Sequence, residues 1–379
     1  MMDSMKFSRD IAMLLLAAVC GGLAGGVTSN VLRRPASDAR IGITSSTNTA
    51  FGLGPTSTEP VLSFIPVPRR AGISIVPPPL LKRRSSAIAM LYRKSKGMTL
   101  EERMLGPERL LGRAIALTSD GWFITTLGAI DSLRLAEIVV WHNGSSYPVE
   151  RGVLDRLNST VYLKTDAHGL TAPAFAQAEE ATAGSEVWIE NRPDGFSPHL
   201  IVDAGARLAP NDPVSSEIAS RRLIVNRVTR AGERGSAAWD PSGSLMGIVD
   251  SKEGEELRLI PAGTVAASLA SLLGKGEIRH ALFGVRALDL AAARFSGSRN
   301  GLPLQGARVV ADKRSIAKLF SGDVILRVDR DILDGRADLG EILAEYKPGA
   351  SVTLRVLRDG KDIDVPVTFG TIVTSEVLK

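Results

Sequence analysis

Residues 112–130 read GRAIALTSDGWFITTLGAI, and the fold turns on this stretch. The apolar run Ala114-Ile115-Ala116-Leu117 leads into Ser119-Asp120-Gly121, after which Trp122-Phe123-Ile124-Thr125-Thr126 follows. Two β-branched or aromatic runs around an Asp-Gly turn predict a β-hairpin. Outward from it, residues 87–92 (AIAMLY) predict a strand, residues 138–150 (IVVWHNGSSYPVE) a second hairpin, and Thr160 to Lys164 another strand. Short strands at regular spacing with Gly, Asn and Asp turns argue for a β-barrel or sandwich rather than an α/β fold.

A chain of 379 residues has room for two domains plus an anchor or linker. The net charge of +5 is a weak excess, and the short basic patches Arg69-Arg70, Lys82-Arg83-Arg84 and Arg221-Arg222 carry no interleaved aromatics. They read as solvated charge, with no nucleic acid partner. Cys20 is the one cysteine, so no intrachain disulfide forms and no thiolate chemistry is open to the folded part.

Residues 1–34 read as a membrane anchor or signal segment. The apolar run from Ile11 to Val27 continues to Leu32, flanked by Lys6, Arg9 and Arg33-Arg34. With the tolerant Thr28-Ser29-Asn30 it reaches the ~20 residues of a membrane span. A retained anchor is the reading taken, and a signal segment cut near Ala24 and Gly26 is the alternative. Two overlapping G-x-x-x-G spacings, at Gly21, Gly22, Gly25 and Gly26, would let a second helix approach. Residues 35–84 are rich in Pro, Ser and Thr and read as a linker.

The hairpin of residues 112–130 resembles the first hairpin of HtrA/DegP serine proteases, which runs G-Y-I-x-T-N-x-H. Residues 184–208 (GSEVWIENRPDGFSPHLIVDAGARL) and 243–248 (GSLMGI) resemble later phrases of the same family. The resemblance implies a chymotrypsin-like double β-barrel over residues 85–273. From residue 276 to 372, LFGV at 282–285, SGDVILRVDRDIL at 321–333, a helix at Arg336 to Tyr346 and VLRDGK at 356–361 resemble a bacterial PDZ domain. The segment Ala311 to Ser321 is shorter than the family's loop. The expected fold is therefore mainly β: two barrels and a PDZ domain behind an N-terminal transmembrane helix.

Serine-protease chemistry needs a hydroxyl nucleophile, an imidazole base and a carboxylate to orient it. By the resemblance the base falls at Gly128, the carboxylate at Ser159 and the nucleophile at Arg234; a slipped alignment offers Ser236, followed by Ala237-Ala238 instead of two glycines. Asp155 reads as a turn residue, and His142, His168, His199 and His280 as surface or turn histidines with no metal spacing. No peptidase activity is expected, and no cofactor or metal.

The resemblance leaves a PDZ groove, where a partner's C-terminal tail or exposed strand adds to a sheet edge. Its loop would be Leu282-Phe283-Gly284-Val285, and its helix would present Leu339, Ile342 and Leu343 at i, i+3, i+4 spacing. The expected function is a pseudoprotease in the inner membrane, single-pass, with its bulk on the periplasmic side. It would bind proteins as a scaffold or as a subunit of a larger membrane complex. The alternative is a serine endopeptidase with a rearranged site at Ser236.

Overall fold

The computed structural model describes residue 81 and residues 85–378, apart from 96, 98, 101, 131–132, 178–180, 193–194, 227–233, 251–255 and 311–317. The expected anchor, all of the expected linker but Leu81 and most of the 311–321 loop lie outside the described residues; Leu81 is buried in the core, so the linker ends before it. Among the described residues no helix is long and apolar enough to cross a membrane.

The first unit carries β1 (Ile88–Arg93), β2 (Leu110–Ala116), β3 (Trp122–Thr126), a short helix α1 (Leu127–Ile130), β4 (Ile138–His142), β5 (Ser145–Pro148), β6 (Arg151–Asp155) and β7 (Thr160–Lys164). The expected hairpin is β2–β3, with Ile115 opposite Ile124 and Ala116 opposite Phe123. Its turn needs glycine: Gly121 has φ +99°, and a Cβ there would lie 2.5 Å from the Thr165 carbonyl oxygen. Every residue of β3 is buried. Alternation divides them, because Phe123 enters the core of this unit while Trp122 and Ile124 join a cluster shared with Trp188, Trp239 and Ile248 of the next. A strand buried on both faces is pinned in register, and each such side chain contributes about 1.5–3 kcal/mol.

The second unit contains β8 (Glu186–Arg192), β9 (Gly195–Arg207), β10 (Val214–Ser215), β11 (Arg221–Val225), β12 (Ala237–Trp239), β13 (Leu245–Val249) and β14 (Leu257–Pro261). All but β10 close into a six-stranded barrel in the order β11-β14-β13-β12-β8-β9. Helix α2 (Ala262–Lys275) leaves β14, buries Val265, Ser268 and Leu272, and ends at Gly276 in the left-handed conformation.

The third unit comprises β15 (Arg279–Leu282), β16 (Arg286–Asp289), β17 (Ala307–Val310), β18 (Val324–Val328), β19 (Asp331–Ile332), α3 (Leu339–Ala344), β20 (Ser351–Arg358), β21 (Lys361–Thr368) and β22 (Gly370–Val373). Its main sheet runs β10-β16-β17-β18-β20-β21, so β10 of the second unit supplies the edge strand. The last strand, β23 (Ser375–Leu378), returns to the first unit and pairs with β6. The first sheet is thus an open path, β23-β6-β7-β3-β2-β1-β4-β5. Strand β23 occupies an edge of β6 that would otherwise offer unpaired backbone groups.

Two local readings are corrected by burial. Arg221 and Arg222 are buried, not solvated charge, because every residue of β11 is buried. Arg221 Nε donates to both carboxylate oxygens of Glu341 on α3, at 2.9 and 2.7 Å. Asp155 is likewise fully buried at the end of β6 rather than exposed in a turn.

Candidate functional site

The protease-like positions come together in the structure. Gly128 lies in α1 just after β3, and its carbonyl oxygen accepts a 2.6 Å hydrogen bond from Arg234 Nη1. A Cβ on Gly128 would stand 2.7 Å from that nitrogen and 2.8 Å from Cζ, so the guanidinium fills the space a side chain at 128 would enter. The carbonyl oxygen of Ser159, in the β6–β7 turn with φ +55°, accepts from the amide of Leu127 at 2.8 Å. The Arg234 carbonyl accepts from the Arg113 amide of β2 at 2.8 Å, which ties the loop before β12 to the first unit.

Ser236 stands two residues beyond Arg234, after Gly235 at φ +81°. Its side chain is fully buried, and its hydroxyl has no hydrogen-bond partner among the described residues.

Of the four histidines, only His168 is exposed. His142 packs edge-on against Phe123, with Nε2 2.7 Å from the Ser86 carbonyl oxygen. His199 is fully buried on β9, and burial lowers its pKa despite the Asn226 carbonyl oxygen 2.8 Å from Nδ1. That carbonyl can only accept, so Nδ1 carries the proton and the Ser197 hydroxyl donates to Nε2 at 2.8 Å. His280 stands 3.4 Å from Asp155 Oδ2. The surface-or-turn reading therefore fails for three of the four, because each lies buried on a paired strand.

Asp155 gathers donors from distant segments: Ser268 Oγ of α2 at 2.7 Å, Asn158 Nδ2 at 2.8 Å and Thr374 Oγ1 at 3.2 Å. Burial alone would raise its pKa, but the His280 imidazole, with Ser268 and Asn158, holds the carboxyl below the usual range.

The second place of interest is the strand–helix groove of the third unit. Phe283 and Val285 are buried, Gly284 has φ +72°, and Phe283 meets Phe369 edge-on at 5.7 Å. Leu282 ends β15 and is half-buried. Leu339, Ile342 and Leu343 are all buried against the same core. They part ways at the surface, since Leu339 borders the space beside β16 whereas Ile342 borders a separate cleft with Arg221 and Arg330.

The loop of this groove already holds a carboxylate. Oε1 of Glu217 accepts from the amides of Phe283 at 2.9 Å and Gly284 at 2.7 Å. Burial alone would raise the pKa of Glu217; the Gly284 amide, the Ser215 and Ser216 hydroxyls and the Phe283 amide together hold it below the usual range. Beside it β10 pairs antiparallel with β16, Val214 opposite Ala287 and Ser215 opposite Arg286. Nothing in the local sequence around Glu217 announces this contact, which joins residues 66 and 67 positions apart.

With this geometry in place, comparison with known proteins defines the class. A family profile described as PDZ domain matches residues 293–369. The chain is 25% identical over 268 residues to the "Serine protease Do-like HtrA" of Lactobacillus helveticus, covering 65% of this chain and 64% of that one. It is 23% identical over 274 residues to a "Probable periplasmic serine endoprotease DegP-like" of Halomonas elongata, covering 69% of this chain and 56% of that one. A solved structure, "HtrA-type protease AlgW with decapeptide", superposes with a TM-score of 0.52 at 20% identity, covering 77% of this chain and 98% of the other, and shares the fold. The chain thus spans less than two thirds of the length of either named relative. It is a homologue of the HtrA/DegP serine proteases and carries a C-terminal PDZ domain.

That finding corrects the expectation, drawn from Gly128, Ser159 and Arg234, that the chain is no enzyme. Its named homologues are serine proteases, and three substituted positions in so distant a relative do not establish inactivity.

Proposed function

We propose that this chain is an extracytoplasmic, membrane-anchored protein that holds the C-terminal tails or exposed strands of other exported polypeptides in its PDZ groove, as an accessory subunit of a membrane assembly. One observation carries the reading. The β16 edge and the Phe283–Gly284 amides hold an extended strand and a carboxylate side by side, the two features a chain terminus presents together. Main-chain pairing supplies affinity and the carboxylate-binding amides supply the preference for a terminus. The name of the Halomonas relative supports the periplasmic side, and the apolar run from Ile11 to Leu32 supports the anchor.

The test uses the full chain in detergent and a fluorescent decapeptide pool randomised at its last four positions. Binding of the free-carboxylate pool, and not of the same pool amidated, is the expected result. Equal binding of the two would remove the reading.

A second reading, a serine endopeptidase acting through Ser236, draws on the names of the relatives and on the Ser236 hydroxyl, which has no partner among the described residues and follows a left-handed glycine. Stoichiometric labelling by a fluorophosphonate that is lost in Ser236→Ala would favour it.

A further inference from the structure

We infer that residues Val214 to Ile218 are an internal ligand of the PDZ groove, and that a tail from another protein is admitted only when this segment leaves. The inference deepens the tail-binding reading above and rests on it.

The segment reproduces the parts of a bound tail one by one. Its strand β10 extends the PDZ sheet through β16, and the pairing continues as the Ser216 amide donates to the Val285 carbonyl at 2.8 Å. Its carboxylate, the side chain of Glu217, takes the amides of Phe283 and Gly284 and is further braced by the Ser216 hydroxyl at 2.8 Å. Charged hydrogen bonds of this kind are roughly twice as strong as neutral ones. The backbone then runs close against helix α3: a Cβ on Gly340 would collide with the Ile218 carbonyl oxygen. The space remaining between β10, β16 and α3 is about 30 Å³, room for a water but not for a peptide side chain.

The difference from a tail is that the carboxylate belongs to a side chain, so the polypeptide continues through the groove instead of ending in it. An outside terminus would compete for the same two amides and the same edge of β16. Its apparent affinity is then the intrinsic one reduced by the fraction of molecules whose segment has left.

The experiment measures two quantities on the full chain, Glu217→Ala and Gly340→Ala. One is binding of the free-carboxylate and amidated decapeptide pools; the other is hydrogen exchange at the Phe283 and Gly284 amides without peptide. Gly340→Ala leaves the carboxylate in place, and alanine favours the helix it joins, so it stands in if the Glu217 variant fails to fold. Both variants should bind the free-carboxylate pool about tenfold or more tightly than the parent, and both amides should exchange faster. Unchanged exchange with equal affinity in all three proteins would overturn the internal ligand. Faster exchange in the variants with no preference for the free carboxylate would instead overturn the tail-binding reading and leave the occupancy standing.

Discussion

The Oε1 atom of Glu217 lies 2.7 Å from the amide nitrogen of Gly284. That contact joins the segment before β11 to the PDZ loop, and it ties the barrel to the groove through which the chain is proposed to work. Around it the junction is dense with buried charge: Arg221 with Glu341, Arg207 with Asp289 at 2.6 Å, and the Ser220 and Arg221 amides on Asp338 at 2.6 and 2.8 Å.

The packing of Arg234 over Gly128 predicts a coupling between the two positions. Gly128→Ala should destabilise by about 1–3 kcal/mol, because its methyl would meet the guanidinium. Arg234→Ala should relieve most of that cost, leaving an interaction of about 1 kcal/mol in a double-mutant cycle followed by urea unfolding.

Asp155 predicts a pH dependence. Its carboxyl is held below the usual range in the folded chain, so its stabilisation is fully present above the ordinary aspartate value of about 3.9 and is lost as pH falls through the lowered folded value. The groups that face it are His280, Ser268, Asn158, Thr374 and Tyr162. Asp155→Asn should cost about 3 kcal/mol near neutrality. It should also flatten the acid limb of a Tm-against-pH profile recorded beside the parent.

Two ion pairs should differ sharply. Arg221, buried against Glu341, should cost about 3–5 kcal/mol when changed to Ala, because the carboxylate is left buried without its partner. Arg279, exposed beside Glu277, should cost less than about 1 kcal/mol. Denaturant midpoints of the two variants check this directly.

Removing residues 375–379 takes β23 from the edge of β6. The truncated chain should melt earlier and self-associate through the exposed edge. Light scattering during size exclusion would register the association.

Much of this was legible in the sequence where contacts are local. The β2–β3 hairpin follows from Asp120-Gly121 between two apolar runs, and α3 from the spacing of Leu339, Ile342 and Leu343. Nonlocal pairings left no such trace. The burial of Arg221 and Arg222, the meeting of His280 with Asp155 and the addition of β23 to β6 each join segments far apart in the chain, where no periodicity marks a partner. Glu217 follows two serines in an unremarkable polar stretch, and only the fold places it on the amides of residues 283 and 284.

The most direct test of the account locks the segment in place. In Val214→Cys with Ala287→Cys, on a chain carrying Cys20→Ser, the two thiols stand on paired positions of β10 and β16, close enough to bridge. The account predicts that the oxidised protein fails to bind the free-carboxylate decapeptide pool and that reduction restores binding. Equal binding in the oxidised and reduced proteins would contradict it.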